Sequence, residues 1–158
     1  MTNQVKLIFY DKKYFEALNN IHLPDEQIRF TQSPIEVIDF LSDSDCRLIL
    51  ILCDAVCVGY FILHKNGGPA KFGFDNNTLL IRSLAVNPLE QGKGLAFQGM
   101  NALPKFVEEN FNGINKLILV VNKKNIPAQR LYKKLGFIEH SSIKNEIHGL
   151  QFVYCLDL

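Results

Sequence analysis

Two glycines and a lysine follow an apolar segment of the chain, in a pattern that can bind a phosphate. The run Leu79–Val86 is apolar except for Arg82 and Ser83, which is typical of a strand buried on both faces. The chain then reads QGKGLA over residues 91–96 and continues into a helix-permissive stretch. The first amides of a helix lack intrahelical partners, and glycine lets a phosphate approach the backbone closely. This segment therefore predicts an anion site made of backbone amides.

The spacing within this turn differs from two common nucleotide motifs. A Walker A motif needs an earlier glycine that the chain lacks, and G-x-G-x-x-G fails because Phe97 stands at its last position. The turn fits the pattern Q/R-x-x-G-x-G/A, through Gln91, Gly94 and Ala96.

A second segment, residues 125–136, predicts a short helix. Asn125 suits its N-cap, and Gly136 suits the position just after its C-terminus. At 100° per residue, Asn125, Ala128 and Tyr132 fall on one helix face. The helix therefore presents a phenol and an amide side chain on the same side.

Hydrophobic runs, caps and turn residues predict the elements that position these two segments. Strands are predicted at Val5–Tyr10, Cys46–Cys53, Val56–His64, Leu79–Val86, Lys116–Val121, Phe137–His140 and Gln151–Leu156. Helices are predicted at residues 13–20, 34–41, 95–110 and 125–136. The order is β-α-α-β-β-β-α-β-α-β-β, in a single domain of residues 1–158.

Turn and breaker residues predict several local features. Asp54-Ala55 predicts a hairpin, and Gly59 predicts a bulge or a close backbone contact. Pro104 predicts a kink or break in the third helix, and residues 65–77 predict a loop. The apolar residues expected to be buried in the second helix are Ile35, Ile38 and Leu41.

Composition predicts a globular protein with reduced cysteines. The net charge of +1 gives no general reason to expect binding to nucleic acid or membrane. Polar residues at Thr2 and Asn3 argue against a signal peptide, and the longest apolar stretch, Leu48–Leu52, is too short to span a bilayer. The four cysteines lack the paired spacing of a zinc site. We therefore predict a cytoplasmic protein without a metal.

Together the two segments resemble the GNAT superfamily of acyl-CoA N-acyltransferases. The turn pattern follows a strand ending in V-x-P, and N-x-x-A-x-x-L-Y-x-K-x-G-F is present in full. Its residues are Asn125, Ala128, Leu131, Tyr132, Lys134, Gly136 and Phe137. The specific resemblance covers residues 79–137, and the earlier part of the chain matches in element order. It implies an α/β (α+β) fold with a mixed central sheet of about seven strands and about four helices.

The resemblance implies a role for each matching residue in binding acetyl-CoA. The amides of the turn would bind the pyrophosphate: Gln91, Gly92, Lys93, Gly94, Leu95 and Ala96. The backbone of Leu84, Ala85 and Val86 would pair with the pantetheine arm, where this strand splays from Lys116–Val121. Asn125 would hydrogen-bond the cofactor, and Ala128 would also bind it. Tyr132 would lie near its sulfur, where a phenol can protonate the thiolate that acetyl transfer releases.

One departure from the family pattern concerns the general base. Many relatives carry a glutamate in the central strand, at the position of Leu80 in this chain. Arg82 and Ser83 are candidate substrate-binding residues, and neither is a convincing base. Arg82 is equally well explained as half of a structural ion pair. A water chain, an acid or histidine from elsewhere, or an amine that binds neutral remain the alternatives.

The predicted activity is transfer of an acetyl group to a primary amine. The acceptor is expected to be a small molecule, and the protein is expected to be a monomer or homodimer. Residues 1–60 hold 5 Lys/Arg against 9 Asp/Glu, which favours a cationic acceptor. One alternative is a protein acetyltransferase that acts on a terminal or lysine amine. Another is a non-catalytic CoA-binding module, which the missing glutamate would allow and Tyr132 argues against.

Overall fold

A computed structural model of the protein describes residues 4–158 and places seven strands in one sheet. Thr2 and Asn3, on which the prediction of no signal peptide depends, lie outside this range. The strands are β1 (Val5–Phe9), β2 (Cys46–Cys53), β3 (Val56–His64), β4 (Thr78–Val86), β5 (Lys116–Asn122), β6 (Ile138–Asn145) and β7 (Gly149–Asp157). Their order across the sheet is β1-β2-β3-β4-β5-β7-β6. The predicted mixed α/β fold is confirmed.

Within the described sheet the only parallel pair is β4 with β5, and the two strands pair along only the first four of the nine residues of β4. Thr78 pairs with Lys116 and the ladder ends at Ile81 with Leu119, although β4 continues to Val86 and β5 to Asn122. Beyond Ile81, β4 pairs with β3 and β5 pairs with β7. The two central strands therefore diverge toward their carboxyl ends, as the resemblance predicted.

A bulge interrupts β4 where this divergence begins. The β3–β4 register shifts between Tyr60 and Ile62, and Ser83 has a φ of +62°. Gly59 is needed opposite the end of β4, because a β-carbon there would lie 2.6 Å from the Ala85 carbonyl oxygen. The close backbone contact predicted for Gly59 is confirmed.

Seven helices accompany the sheet among the described residues. They are α1 (Phe15–Asn19), α2 (Asp25–Ile28), α3 (Pro34–Asp39), α4 (Gly67–Ala70), α5 (Leu95–Asn101), α6 (Leu103–Asn110) and α7 (Ile126–Lys134). The helix predicted over residues 95–110 is divided at Ala102, and Pro104 lies in the first turn of α6. The loop predicted over residues 65–77 contains α4, whose two glycines and proline give no helical periodicity.

Each face of the sheet supports its own hydrophobic core. One face packs beneath α5, α6 and α7, with Ile49, Phe61, Ile81, Leu103 and Leu117 at its centre. The other face packs beneath α1 and α3 through residues such as Leu18, Val37, Leu50 and Ile62.

The burial predicted within α3 is partly wrong. Ile35 and Leu41 are exposed and Ile38 is partly buried, while Pro34 and Val37 are buried instead. Helix α3 has six residues and buries one narrow face, that of Pro34 and Val37. Rotation of so short a helix by about 100°, the angle between neighbouring residues, changes which side chains are covered. No helix among residues 4–158 has the length and apolar character needed to cross a membrane.

Candidate active site

The divergence of β4 and β5 opens into a cleft of about 1240 Å³. Its walls come from α2 and the segment before α3, the end of β4, the turn before α5, and the start of α7. The predicted site residues that line it are Leu84, Ala85, Val86, Gln91, Gly92, Gly94, Leu95, Ala96, Asn125, Ala128 and Tyr132, together with Arg82 and Ser83. Lys93 does not line the cleft, and its ammonium lies 2.7 Å from a carboxylate oxygen of Glu90.

The turn between β4 and α5 presents a row of unused backbone donors. Within residues 4–158, none of the six N–H groups from Gly92 to Phe97 donates a hydrogen bond. Gly92 and Gly94 have φ angles of +81° and +76°, and Gly94 is the N-cap of α5. A β-carbon on Gly92 would meet nothing within 4 Å, so the space in front of this backbone is open. Such a row of free amides at a helix start suits a phosphate.

The Gln91 side chain ties this turn to two other elements. Its amide nitrogen donates to the Val86 carbonyl oxygen at 2.8 Å, at the end of β4. Its amide group also exchanges hydrogen bonds of 3.0 and 2.9 Å with the amide group of Gln27 in α2. Gln91 therefore fixes the turn relative to the cleft wall, and its side-chain groups are already occupied.

Asn125 and Gln129 fix the start of α7 at the end of β5. The Asn125 side-chain oxygen accepts the Ala128 N–H at 3.3 Å, which is the predicted N-cap. The buried Gln129 amide donates to the Asn122 and Lys123 carbonyl oxygens at 3.1 and 2.8 Å. These bonds orient α7 so that Ala128 and Tyr132 reach the cleft.

Tyr132 is a buried phenol that keeps its proton. The residue is 7% exposed, and its ring packs edge-on against Phe137 with a centroid distance of 5.7 Å. Among residues 4–158 no group hydrogen-bonds to its hydroxyl, and the residue lines the cleft. Burial raises the pKa of Tyr132 above its usual value, because the phenolate would lose hydration. The phenol is therefore protonated at neutral pH.

The segment before α3 covers the bulge in β4. The Ser83 hydroxyl donates to the Gln32 side-chain oxygen, and the Thr31 hydroxyl donates to the Leu84 carbonyl oxygen at 3.3 Å. The Tyr60 hydroxyl donates to the Gln32 carbonyl oxygen at 2.7 Å. Together these bonds support the positive φ of Ser83, a conformation that a serine adopts only when its surroundings stabilise it.

Leu80 lies at the position where many relatives carry a glutamate, and His64 lies opposite it in the β3–β4 ladder. Opposed residues of an antiparallel pair project to the same face of a sheet. Arg82 donates to His64 Nδ1 at 3.1 Å. Because a guanidinium can only donate, Nδ1 must accept and the neutral ring carries its proton on Nε2. His64 lines the cleft, but its lone pair is engaged and it does not replace the glutamate as a free base.

The tautomer of His64 also bears on a group of three potential metal ligands beside the cleft. Asp43, Cys46 and His64 bring potential ligand atoms within 4.8 Å of one another. The proton on His64 Nε2 faces Asp43 at 3.9 Å, so the ring offers no lone pair there. Burial raises the pKa of the Cys46 thiol to about 11, which keeps it protonated. His64 would have to change its tautomer, and Cys46 lose its proton, before either could bind a cation here.

Several residues that shape this site have no clear signal in the sequence. Gln27, Gln32 and Gln129 act through hydrogen bonds between segments distant along the chain. A glutamine has no distinctive local signature, so only the fold reveals these roles. His64 could be noted only as the last residue of a predicted strand.

Comparison with known proteins shows the same fold and family. The model of the Acetyltransferase (GNAT) family matches residues 15–137. The uncharacterized N-acetyltransferase YbbJ of Bacillus subtilis (strain 168) is 37% identical over 142 residues, which cover 88% of each chain.

Two solved structures with bound coenzyme A superpose on the chain with TM-scores of 0.76. The ribosomal L7/L12 alpha-N-protein acetyltransferase RimL is 14% identical, with 98% of this chain and 94% of RimL covered. The aminoglycoside acetyltransferase AAC(6')-Ib is 17% identical, with 98% and 95% covered. On its family match and shared fold, the chain belongs to the GNAT family and is an N-acetyltransferase.

Proposed function

We propose that the protein transfers the acetyl group of acetyl-CoA to the primary amine of a small molecule, with Tyr132 as general acid. The observation that carries this proposal is one cleft that combines three features. These are the free amides of residues 92–97, the separated ends of β4 and β5, and the protonated phenol of Tyr132.

The residues of the turn and of β4 would bind the co-substrate. The unpartnered amides from Gly92 to Phe97 offer donors to the pyrophosphate. The backbone of Leu84–Val86, on the side that faces away from β3, has no partner strand because β5 has diverged. An extended amide-bearing arm can pair with that edge, where the Leu84 and Val86 carbonyl oxygens each already accept one hydrogen bond, from Thr31 and Gln91.

Tyr132 would supply the proton that the departing thiolate needs. Its raised pKa keeps the hydroxyl protonated, and no group within the described residues accepts a hydrogen bond from it. The amine must lose its own proton before it attacks. Since His64 Nδ1 is engaged by Arg82, we propose that the amine loses it to water in the open cleft.

The cleft favours a small acceptor over a protein chain. Its acceptor end is bounded by α2, by residues 30–32 and by α4 with Lys71 and Phe72. The Gln27–Gln91 bridge joins α2 to the turn across one side. These walls suit a compact amine, whereas an extended protein segment would need an open groove.

A thiol-release assay tests this proposal. The protein is mixed with acetyl-CoA and a panel of primary amines that includes polyamines, aminoglycosides, amino acids, lysine peptides and peptides with free N-termini. Amine-dependent thiol release, with the acetylated amine identified by mass, supports acetyl transfer. Release with peptides alone favours a protein acceptor. Binding of acetyl-CoA without release by any amine favours the non-catalytic CoA-binding module and contradicts the proposal.

A further inference from the structure

Arg82 places a positive charge in the cleft with only neutral groups against it. Its guanidinium donates to His64 Nδ1 at 3.1 Å and stacks over the Phe40 ring at 4.6 Å. Among residues 4–158, no carboxylate oxygen lies within 4.0 Å of it. The structural ion pair considered for Arg82 from the sequence is therefore not formed within this part of the chain.

The acids that share the cleft are occupied elsewhere or exposed. The Glu90 carboxylate pairs with Lys93 at 2.7 Å, and Glu36 accepts the Ser33 N–H at 3.1 Å in a capping box. Glu26 is exposed to solvent on α2. None of these carboxylates neutralises Arg82.

The surroundings of His64 show how the charges are divided. Asp43 lies 3.9 Å from Nε2, on the ring edge away from Arg82. Burial is the main cause that lowers the pKa of His64; Arg82 and, more weakly, Lys71 lower it further, while Asp43 and Asp45 oppose them. Arg82, His64 and Lys71 line the cleft, whereas Asp43 and Asp45 do not.

We propose that Arg82 binds an anionic group, a carboxylate or a phosphate, carried by the acceptor amine. A guanidinium has five N–H donors in a fixed fork. His64 accepts from one terminal nitrogen and holds the fork in place, which leaves donors for a two-point contact. The inference rests on the proposed acetyl transfer and names the class of acceptor for it.

The position of Arg82 along β4 limits the length of that acceptor. Arg82 precedes Leu84 by two residues, and the bulge at Ser83 keeps their separation below the roughly 7 Å that two residues span in an extended strand. Leu84 begins the backbone edge proposed to hold the pantetheine arm, so the anion and the reacting amine are separated by only a few bonds. The acidic N-terminal half suggested a cationic acceptor, whereas the local charge at Arg82 favours a zwitterion.

Matched amines test this inference on the wild-type protein. The panel pairs amino acids with their methyl esters, and phosphoethanolamine with ethanolamine, at saturating acetyl-CoA. We expect the anionic member of the preferred pair to have a kcat/KM about 10- to 100-fold higher, the range for a charge-assisted contact. Preference for the amino acid identifies a carboxylate site, and preference for phosphoethanolamine identifies a phosphate site. Equal rates for both members of every accepted pair overturn the inference while acetyl transfer stands.

Variants assign the effect to Arg82. Arg82→Met should abolish the preference for the anionic member, and Arg82→Lys should retain part of it. Arg47→Met is the matched control, because Arg47 also stacks on an aromatic ring, at 4.3 Å from Phe9, and lies outside the cleft. Acid-over-ester preference that persists in a folded Arg82→Met protein contradicts the assignment.

A binding measurement separates this inference from the proposed activity. Desamino carboxylates such as propanoate, and inorganic phosphate, are titrated into the CoA-saturated protein and observed by NMR. Binding that weakens at least 10-fold in Arg82→Met and not in Arg47→Met supports the subsite even if no amine is acetylated. Absence of binding by any anion, or equal binding to both variants, overturns it.

Discussion

Replacing Tyr132 with phenylalanine removes one oxygen atom from the cleft and leaves the ring in place. The aromatic contact with Phe137, with a centroid distance of 5.7 Å, is kept by a phenylalanine ring. Among residues 4–158 no group hydrogen-bonds to the hydroxyl that is removed. No hydrogen bond is lost and burial of a polar group is relieved, so the free energy of unfolding should change by less than about 1 kcal/mol. Any large effect on turnover must then come from the chemistry.

The expected effect on turnover follows from general-acid catalysis. Loss of a positioned proton donor typically lowers kcat by about 10²- to 10⁴-fold, or roughly 3 to 5 kcal/mol. Affinity for acetyl-CoA should be nearly unchanged, because the proton is needed only as the thiolate leaves. The loss should shrink for acyl donors with a more acidic thiol. Steady-state and single-turnover kinetics measure both quantities.

Tyr154 offers a matched control for this substitution. It is fully buried in β7, its hydroxyl has no hydrogen-bond partner among the described residues, and it lies outside the cleft. Tyr154→Phe should therefore leave kcat unchanged. Wild-type kcat in Tyr132→Phe, measured where chemistry limits turnover, would show that Tyr132 serves only packing.

Three further substitutions test the turn, the bulge and the buried histidine. Gly94→Asp should weaken acetyl-CoA binding in calorimetry by at least 10-fold relative to Gly94→Asn, since the two share size and tolerance of a positive φ and differ in charge. Gly59→Ala should destabilise the fold by about 1 to 3 kcal/mol in urea denaturation and raise the KM for acetyl-CoA, because its β-carbon would lie 2.6 Å from the Ala85 carbonyl oxygen. Gly67→Ala is the control and should be neutral, because its β-carbon would meet nothing within 4 Å. Burial and Arg82 lower the pKa of His64 in the folded protein, so the unfolded chain binds the proton first as the pH falls below about 6.5. Wild type should then lose stability relative to His64→Gln by up to about 1.4 kcal/mol per pH unit, and parallel stability–pH curves for the two would contradict the assignment.

The sequence predicts the sheet well where burial leaves a clear pattern. The β2–β3 hairpin and β4 are largely apolar segments bounded by turn residues, and their observed limits match the prediction to within one residue. The last strands are longer than predicted, since β6 is an exposed edge strand whose polar sequence has no alternation. The extent of β6 is set by its backbone pairing with β7, which the sequence pattern does not show.

The candidate site could be predicted in part for the same reason. Gly92, Gly94 and Asn125 carry local backbone requirements that spacing reveals. The positive φ of Ser83 and the Arg82–His64 bond depend on contacts between distant segments, and no local pattern encodes them. Whether Arg82 forms a structural ion pair could therefore be decided only from the folded structure.

The central claim is that the unpartnered amides before α5 bind the co-substrate, and backbone amide NMR tests it most directly. On titration with CoA, the N–H signals of residues 92–97 should shift downfield and their hydrogen exchange should slow. These N–H groups have no acceptor among the described residues, and the CoA phosphates would provide one. Signals of Leu84–Val86 should also shift, and those of β6 should not. Saturable CoA binding that leaves the signals of residues 92–97 unchanged would contradict the account.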